Sequence, residues 1–252
     1  MGETAAFLHA LRFMTILPVA DSESLEPDWL VRASRYFPAV GIVVGAVSAL
    51  TLVVASHFWS GFVPAILAVA ASALLTGALH EDGLADTADG FGGGRTRDSR
   101  LAIMKDSRIG TYGALALGLT LLLRIGALAL LAPWSAAAAL LATHAGARAA
   151  TTLAMNALPY AGDTSTTRIT YSDAALDRSG LLIVLLVTFA AMLPILVKSP
   201  SAWFSGAVLA SACAFAMVAP ARRLIGGYTG DVLGAIEQMF EVGFLLGAAA
   251  AR

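Results

Sequence analysis

Between His80 and Arg108 the chain reads HEDGLADTADGFGGGRTRDSRLAIMKDSR, a window holding six carboxylates, five cations and a run of three glycines. Asp82, Asp86 and Asp89 stand at i, i+4 and i+7, a spacing that puts them on one face of a helix. Three carboxylates so close repel one another unless a cation lies between them. Oxygen-only ligands suit a hard divalent ion such as Mg²⁺, which keeps several waters and also binds substrate phosphates. The spacing therefore predicts a metal site at Asp82, Asp86 and Asp89, with Glu81 beside it. Gly92, Gly93 and Gly94 then break the helix and lead to Arg95, Arg97 and Arg100. Backbone N–H groups in such a turn, followed by arginines, suit phosphate oxygens. Acids, then glycines, then cations is an order suited to a metal-bridged diphosphate. The bland alternatives are a solvated helix face for the aspartates and electrostatic anchoring to anionic lipid for the arginines.

What positions this window is hydrocarbon-soluble sequence. The chain has 252 residues, of which 58% are hydrophobic and only 13% charged, against roughly 25% charged in ordinary soluble domains. Mean hydropathy is +0.78. The expected class is all-α: one integral membrane domain over 1–252, a helical bundle with about six to seven transmembrane helices, carrying a catalytic loop at 80–110. Apolar runs occupy 37–59, 62–79, 112–132, 135–158, 180–197 and 202–219. A mixed segment, 232–251, carries Glu237 and Glu241 and either spans or packs against the bundle. Residues 5–19 read as a short amphipathic helix at the interface. No cleavable signal peptide is expected. A net charge of −1 argues against a nucleic-acid partner, and the single cysteine, Cys213, excludes an internal disulfide.

Lys and Arg in short loops orient a membrane protein. With the N-terminus inside, Arg12, Arg32, Arg35, the cations of 95–108 and 160–179, and Arg222 and Arg223 all fall on the cytoplasmic side, with Lys198 outside. The polar motifs then share one face. Arg124 and Arg148 interrupt apolar runs, where a cation pairs or faces a polar cavity, and His144 precedes Arg148 by one helical turn. A second glycine-acid motif, GGYTGD at 226–231, reads either as a loop with Asp231 capping the next helix or as a substrate loop with Asp231 contacting metal or hydroxyl.

The string HEDGLADTADGFGGG with RLAIMKDSRIGTYG resembles the signature of the cobalamin synthase family, the adenosylcobinamide-GDP ribazoletransferases. FLHALRFMTILPV, RYFPAVGIVVG and GGYTGDVLGA resemble its other blocks in the same order, so the resemblance extends over nearly the whole chain. It implies a multi-pass enzyme of the bacterial inner membrane with a cytoplasmic-face active site. The implied reaction joins adenosylcobinamide-GDP to α-ribazole or its 5′-phosphate, releasing GMP, with Mg²⁺ required. On this reading Asp82, Asp86 and Asp89 hold the metal, and Glu81 or an aspartate is the base. Arg95, Lys105 and Arg108 grip the diphosphate, Asp106 orients those cations or joins the metal site, and Arg35 and Asp231 form the substrate rim. A homo-oligomer, or assembly with other corrin-pathway enzymes, is a further expectation. The alternatives are a CDP-alcohol-type phosphotransferase and an ion-coupled transporter.

Overall fold

The computed structural model describes residues 2–19, 28–162 and 175–251. Among these residues the protein is built of eleven helices: α1 (Glu3–Met14), α2 (Trp29–Ser34), α3 (Phe37–Ala55), α4 (Phe62–Thr76), α5 (Leu79–Gly93), α6 (Arg97–Met104), α7 (Thr111–Ala129), α8 (Pro133–Ala157), α9 (Arg178–Lys198), α10 (Pro200–Leu224) and α11 (Gly230–Ala250). This is the all-α polytopic class that the composition predicts.

Helices α3, α7, α9, α10 and α11 are each long and apolar enough to cross a bilayer, and α4 with α5 makes a sixth, broken unit. α8 has 25 residues, about 37 Å at 1.5 Å per residue. Large apolar side chains on the outside, among them Leu74, Leu122, Val197 and Phe215, are two-thirds exposed or more. Such a surface would drive aggregation in water and is what lipid tails cover. Trp59 sits in the α3–α4 turn and Trp134 in the first turn of α8, positions that suit interfacial rings.

The helices approach closely because small residues line their contacts. On α3, a side chain at Gly41 would collide with the His144 carbonyl, and one at Gly45 would lie 2.9 Å from the Leu140 carbonyl oxygen. α3 and α8 are thereby locked antiparallel. On α11, Gly243 and Gly247 do the same against α10, and Ser205 adds a hydroxyl bond of 2.7 Å to the Gly247 carbonyl. The 232–251 segment is no peripheral addition: α11 is the most enclosed of the apolar helices, wrapped by α5, α7, α8 and α10.

The turn that creates the site lies between α4 and α5. Gly77 and Ala78 both adopt left-handed backbone (φ 63° and 56°), and α5 leaves at 89° to α4. Ala78 bears the steric cost of that conformation, about 1–2 kcal/mol, to redirect the chain. Ile16, just after α1, donates its N–H to the Leu75 carbonyl at 2.9 Å and so ties the N-terminal segment to this corner.

Candidate active site

α5 carries the acids and lies against the starts of two other helices. Its Gly83 packs on the Asp231 backbone, where a Cβ would come within 2.8 Å of the carbonyl oxygen. Across the same contact, a Cβ at Gly234 would lie 3.1 Å from His80 Cα. These two glycines let α5 and α11 touch backbone to backbone, which brings Asp82 and Asp86 beside Asp231. The Asp86 carboxyl is pushed up to about 7, first by burial and then by the charges of Asp82, Asp231 and Asp89. α5 turns away from α4 and is too short and acidic to cross a bilayer alone.

The four predicted acids of α5 do different things. Asp82 is exposed and Asp86 half-buried on the site side. Asp89 is buried and points to the start of α7, accepting N–H bonds from Gly110 at 2.7 Å and Gly113 at 2.9 Å. It acts as a remote N-cap, where a carboxylate also meets the positive end of the helix dipole. Glu81 faces the bundle interior, 3.3 Å from Arg124 and from the Gln238 amide nitrogen. As a candidate base it is therefore already held by a cation.

Behind Glu81 lies an ionic network that joins the residues interrupting the apolar runs. Glu237 meets Arg148 and His80, each at 2.9 Å, and Glu241 meets Arg124 and His144, each at 2.6 Å. All are at least nine-tenths buried. All four contacts are close in distance without the angles of hydrogen bonds and are ion-pair contacts. Buried charges in a bundle must pair, and the two acids that made 232–251 ambiguous are the partners of the two arginines.

The cations of 95–108 separate as well. α6 opens with a capping box in which the Thr96 and Ser99 side chains satisfy each other's backbone N–H groups. Arg97, one of the three arginines that follow the glycine turn but not one assigned to the diphosphate, donates through Nε to the Ile225 carbonyl at 3.0 Å and through Nη2 to the Ala161 carbonyl at 2.7 Å. It clasps the ends of α8 and α10, which Ala161 and Tyr228 also join at 2.8 Å. Nothing in the sequence separates Arg97 from its neighbours; only the fold identifies it. Lys105 is exposed and lines the same cavity as Arg97. Arg108 instead forms a surface pair with Asp106, whose carboxyl is lowered to about 2, chiefly by that side-chain bond. Arg95 is exposed, and Arg35 pairs with Glu3 at 3.1 Å beside Tyr36. In the GGYTGD motif the cap is Thr229, which accepts from Val232 N–H, and Asp231 stands in the first turn. The stretch 160–179 lies mostly outside the described residues.

Two cavities meet here. The larger, about 660 Å³, is lined by Arg97, Lys105, Tyr160, Thr229, Gly230 and Asp231 among others. The smaller, about 230 Å³, is bounded at its polar edge by Asp82, Gly230 and Asp231. Among the described residues no three His, Cys, Asp or Glu side chains are arranged to hold a metal by themselves. The donor chemistry nevertheless fits Mg²⁺, which needs only one or two carboxylates when waters and substrate phosphates complete its shell. The mutual repulsion at Asp86 marks where positive charge is wanted.

The model of a family described as cobalamin-5-phosphate synthase matches residues 6–249. A protein of Bradyrhizobium diazoefficiens named adenosylcobinamide-GDP ribazoletransferase is 42% identical over 245 residues, covering 96% of this chain and 92% of its own. Proteins of the same name from Azorhizobium caulinodans and Shewanella frigidimarina are 44% and 39% identical, each alignment covering 94% of this chain. No solved structure matches.

Proposed function

This chain belongs to the cobalamin-5-phosphate synthase family, and on that premise we propose that it joins adenosylcobinamide-GDP to α-ribazole or its 5′-phosphate at the junction of α5, α6 and α11, releasing GMP. It is a transferase and a multi-pass membrane protein. That the membrane is the bacterial inner membrane, with the site on its cytoplasmic face, belongs to the proposal. It is supported by the cations at the ends of α1, α2, α6 and α10 lying on the site side, with Lys198 at the opposite end.

A ribose hydroxyl attacks the phosphorus nearer cobinamide; a new P–O bond forms, the bond to the GMP oxygen breaks, and GMP leaves with that electron pair. Asp231, at the edge of both cavities, is positioned to take the hydroxyl proton. Asp82 and Asp86 would hold Mg²⁺, with Asp89 fixing their helix against α7. A Mg²⁺ held there would supply positive charge to the diphosphate and its leaving group. Lys105 and Arg97, whose Nη1 lies 3.6 Å from Asp98, supply cationic charge to the diphosphate from the larger cavity. Arg95 and Arg108, on the exposed rim, add attraction at longer range and are screened by salt.

The observation that carries this reading is the position of Asp231, which stands beside Asp82 and Asp86 and lines a cavity whose wall also bears Arg97 and Lys105. The test is GMP release by the purified protein with both substrates, with and without Mg²⁺. Mg²⁺-dependent release is expected, with Asp82→Asn and Asp86→Asn each losing at least a hundredfold while remaining folded. Full activity in both variants would sink the metal assignment.

A further inference from the structure

The two cavities differ in chemistry, and the difference assigns them. The larger has Arg97 and Lys105 in its wall. The smaller has no Lys or Arg among the described residues lining it. A diphosphate brought into the smaller cavity would meet Asp82 and Asp231 with no Lys or Arg in the wall, Glu237 being already paired with Arg148 and His80, so the diphosphate belongs in the larger.

Apart from these acids, His80 and Thr151, the smaller cavity is walled by apolar side chains. Phe13, Leu30, Phe37, Leu79 and Met155 line it, contributed by α1, α2, α3, α5 and α8. Two of these, Phe13 and Phe37, have rings stacked at 17° with centroids 6.0 Å apart. Walls of this kind accept a flat aromatic group of a small molecule and gain little from a polar one. Gly230 and Asp231 bound both cavities, so a group held in the smaller one has its outer end at the diphosphate.

We infer that the smaller cavity is the acceptor subsite: it takes the apolar, bicyclic aromatic base of the acceptor nucleoside and leaves the ribose at the Gly230–Asp231 edge, facing the diphosphate. This rests on the transferase reading above and adds to it which substrate each cavity holds. It also gives the N-terminal segment a task. α1 and α2 supply part of the cavity wall, and the Ile16 bond to Leu75 holds that segment in place. Base selection is then made partly by elements remote in sequence from the acidic window.

Met155 provides the test, since it is only partly buried and lies in the cavity wall. The full chain, purified in detergent, is assayed for GMP release while acceptor and donor are varied separately. Met155→Trp, which fills the cavity, is expected to raise the acceptor KM at least tenfold and leave the donor KM within twofold. Lys105→Ala is expected to do the reverse. Met155→Ala, which enlarges the cavity, should favour acceptors with bulkier bases relative to wild type, and it carries the test if the tryptophan variant does not purify as a single species. A wild type that turns over while the Met155 variants move the donor KM, both KM values together, or neither would overturn the subsite alone. A wild type that releases no GMP would overturn the transferase reading and this one with it.

Discussion

Asp89→Asn separates support from chemistry in the acidic helix. The wild-type carboxylate takes one N–H from Gly110 and one from Gly113, at 2.7 and 2.9 Å, in a buried position. Asparagine has nearly the same shape but keeps a single acceptor oxygen; its amide nitrogen would face a backbone N–H, donor against donor. Leaving one buried donor unsatisfied costs about 1–3 kcal/mol, and losing the charge at a helix N-terminus about 0.3–1 kcal/mol more. The sum is roughly 1.3–4 kcal/mol. Asp82 is exposed, and Asp82→Asn should stay within about 0.5 kcal/mol of wild type. The assay is reversible unfolding in mixed micelles, following helix content as denaturing detergent is raised, with GMP release measured on the same preparations. Asp89→Asn should lose stability and activity together, whereas Asp82→Asn should lose activity alone. Equal stability of Asp89→Asn and wild type would refute the capping role.

Removing Arg148 strands Glu237 in the bundle with only His80 nearby, and Arg148→Met should cost about 3–5 kcal/mol in the same unfolding assay. Adding Glu237→Gln should recover part of that loss; a double variant no better than the single would argue against the pairing. Gly83→Ala forces α5 away from the Asp231 carbonyl, now 2.8 Å from the added carbon. It should lower GMP release at least tenfold with correct membrane insertion, and unchanged turnover would mean that the α5–α11 contact does not set the site. The raised Asp86 carboxyl gives a pH test. Its value in the fold, about 7, lies above its ordinary 3.8. Its contribution to metal-free stability is therefore complete below about pH 4 and is lost as pH rises through about 7. Mg²⁺ binds the ionised form, so the Mg²⁺ needed for half-maximal turnover should fall several-fold from about pH 6 to pH 8. In any Asp86→Asn enzyme with residual turnover, that dependence should flatten; a requirement independent of pH in wild type would count against Asp86 as a ligand.

What the sequence made legible was whatever depends on neighbours along the chain. Apolar runs show as helices because length and hydrophobicity are local, and each of the seven long segments lies within a few residues of its expected bounds. The break at the three glycines is local too: α5 ends at Gly93. The i, i+4, i+7 spacing correctly put three aspartates on one helix, but spacing says nothing about what stands opposite. Asp89 meets α7 while Asp82 and Asp86 meet α11, a difference made by Gly110 and Gly113 on one side and Gly83 on the other. The buried network was hidden for the same reason. Arg124, His144, Arg148, Glu237 and Glu241 each stand out as a polar interruption, yet their pairing spans three helices and more than a hundred residues of sequence. In lipid, though, such interruptions have few ways to be satisfied. Two arginines in two apolar helices and two glutamates in a third therefore already imply contact among those helices, which puts 232–251 inside the bundle. Arg97 admits no such inference: its partners are the Ile225 and Ala161 carbonyls, and a carbonyl leaves no mark in a sequence.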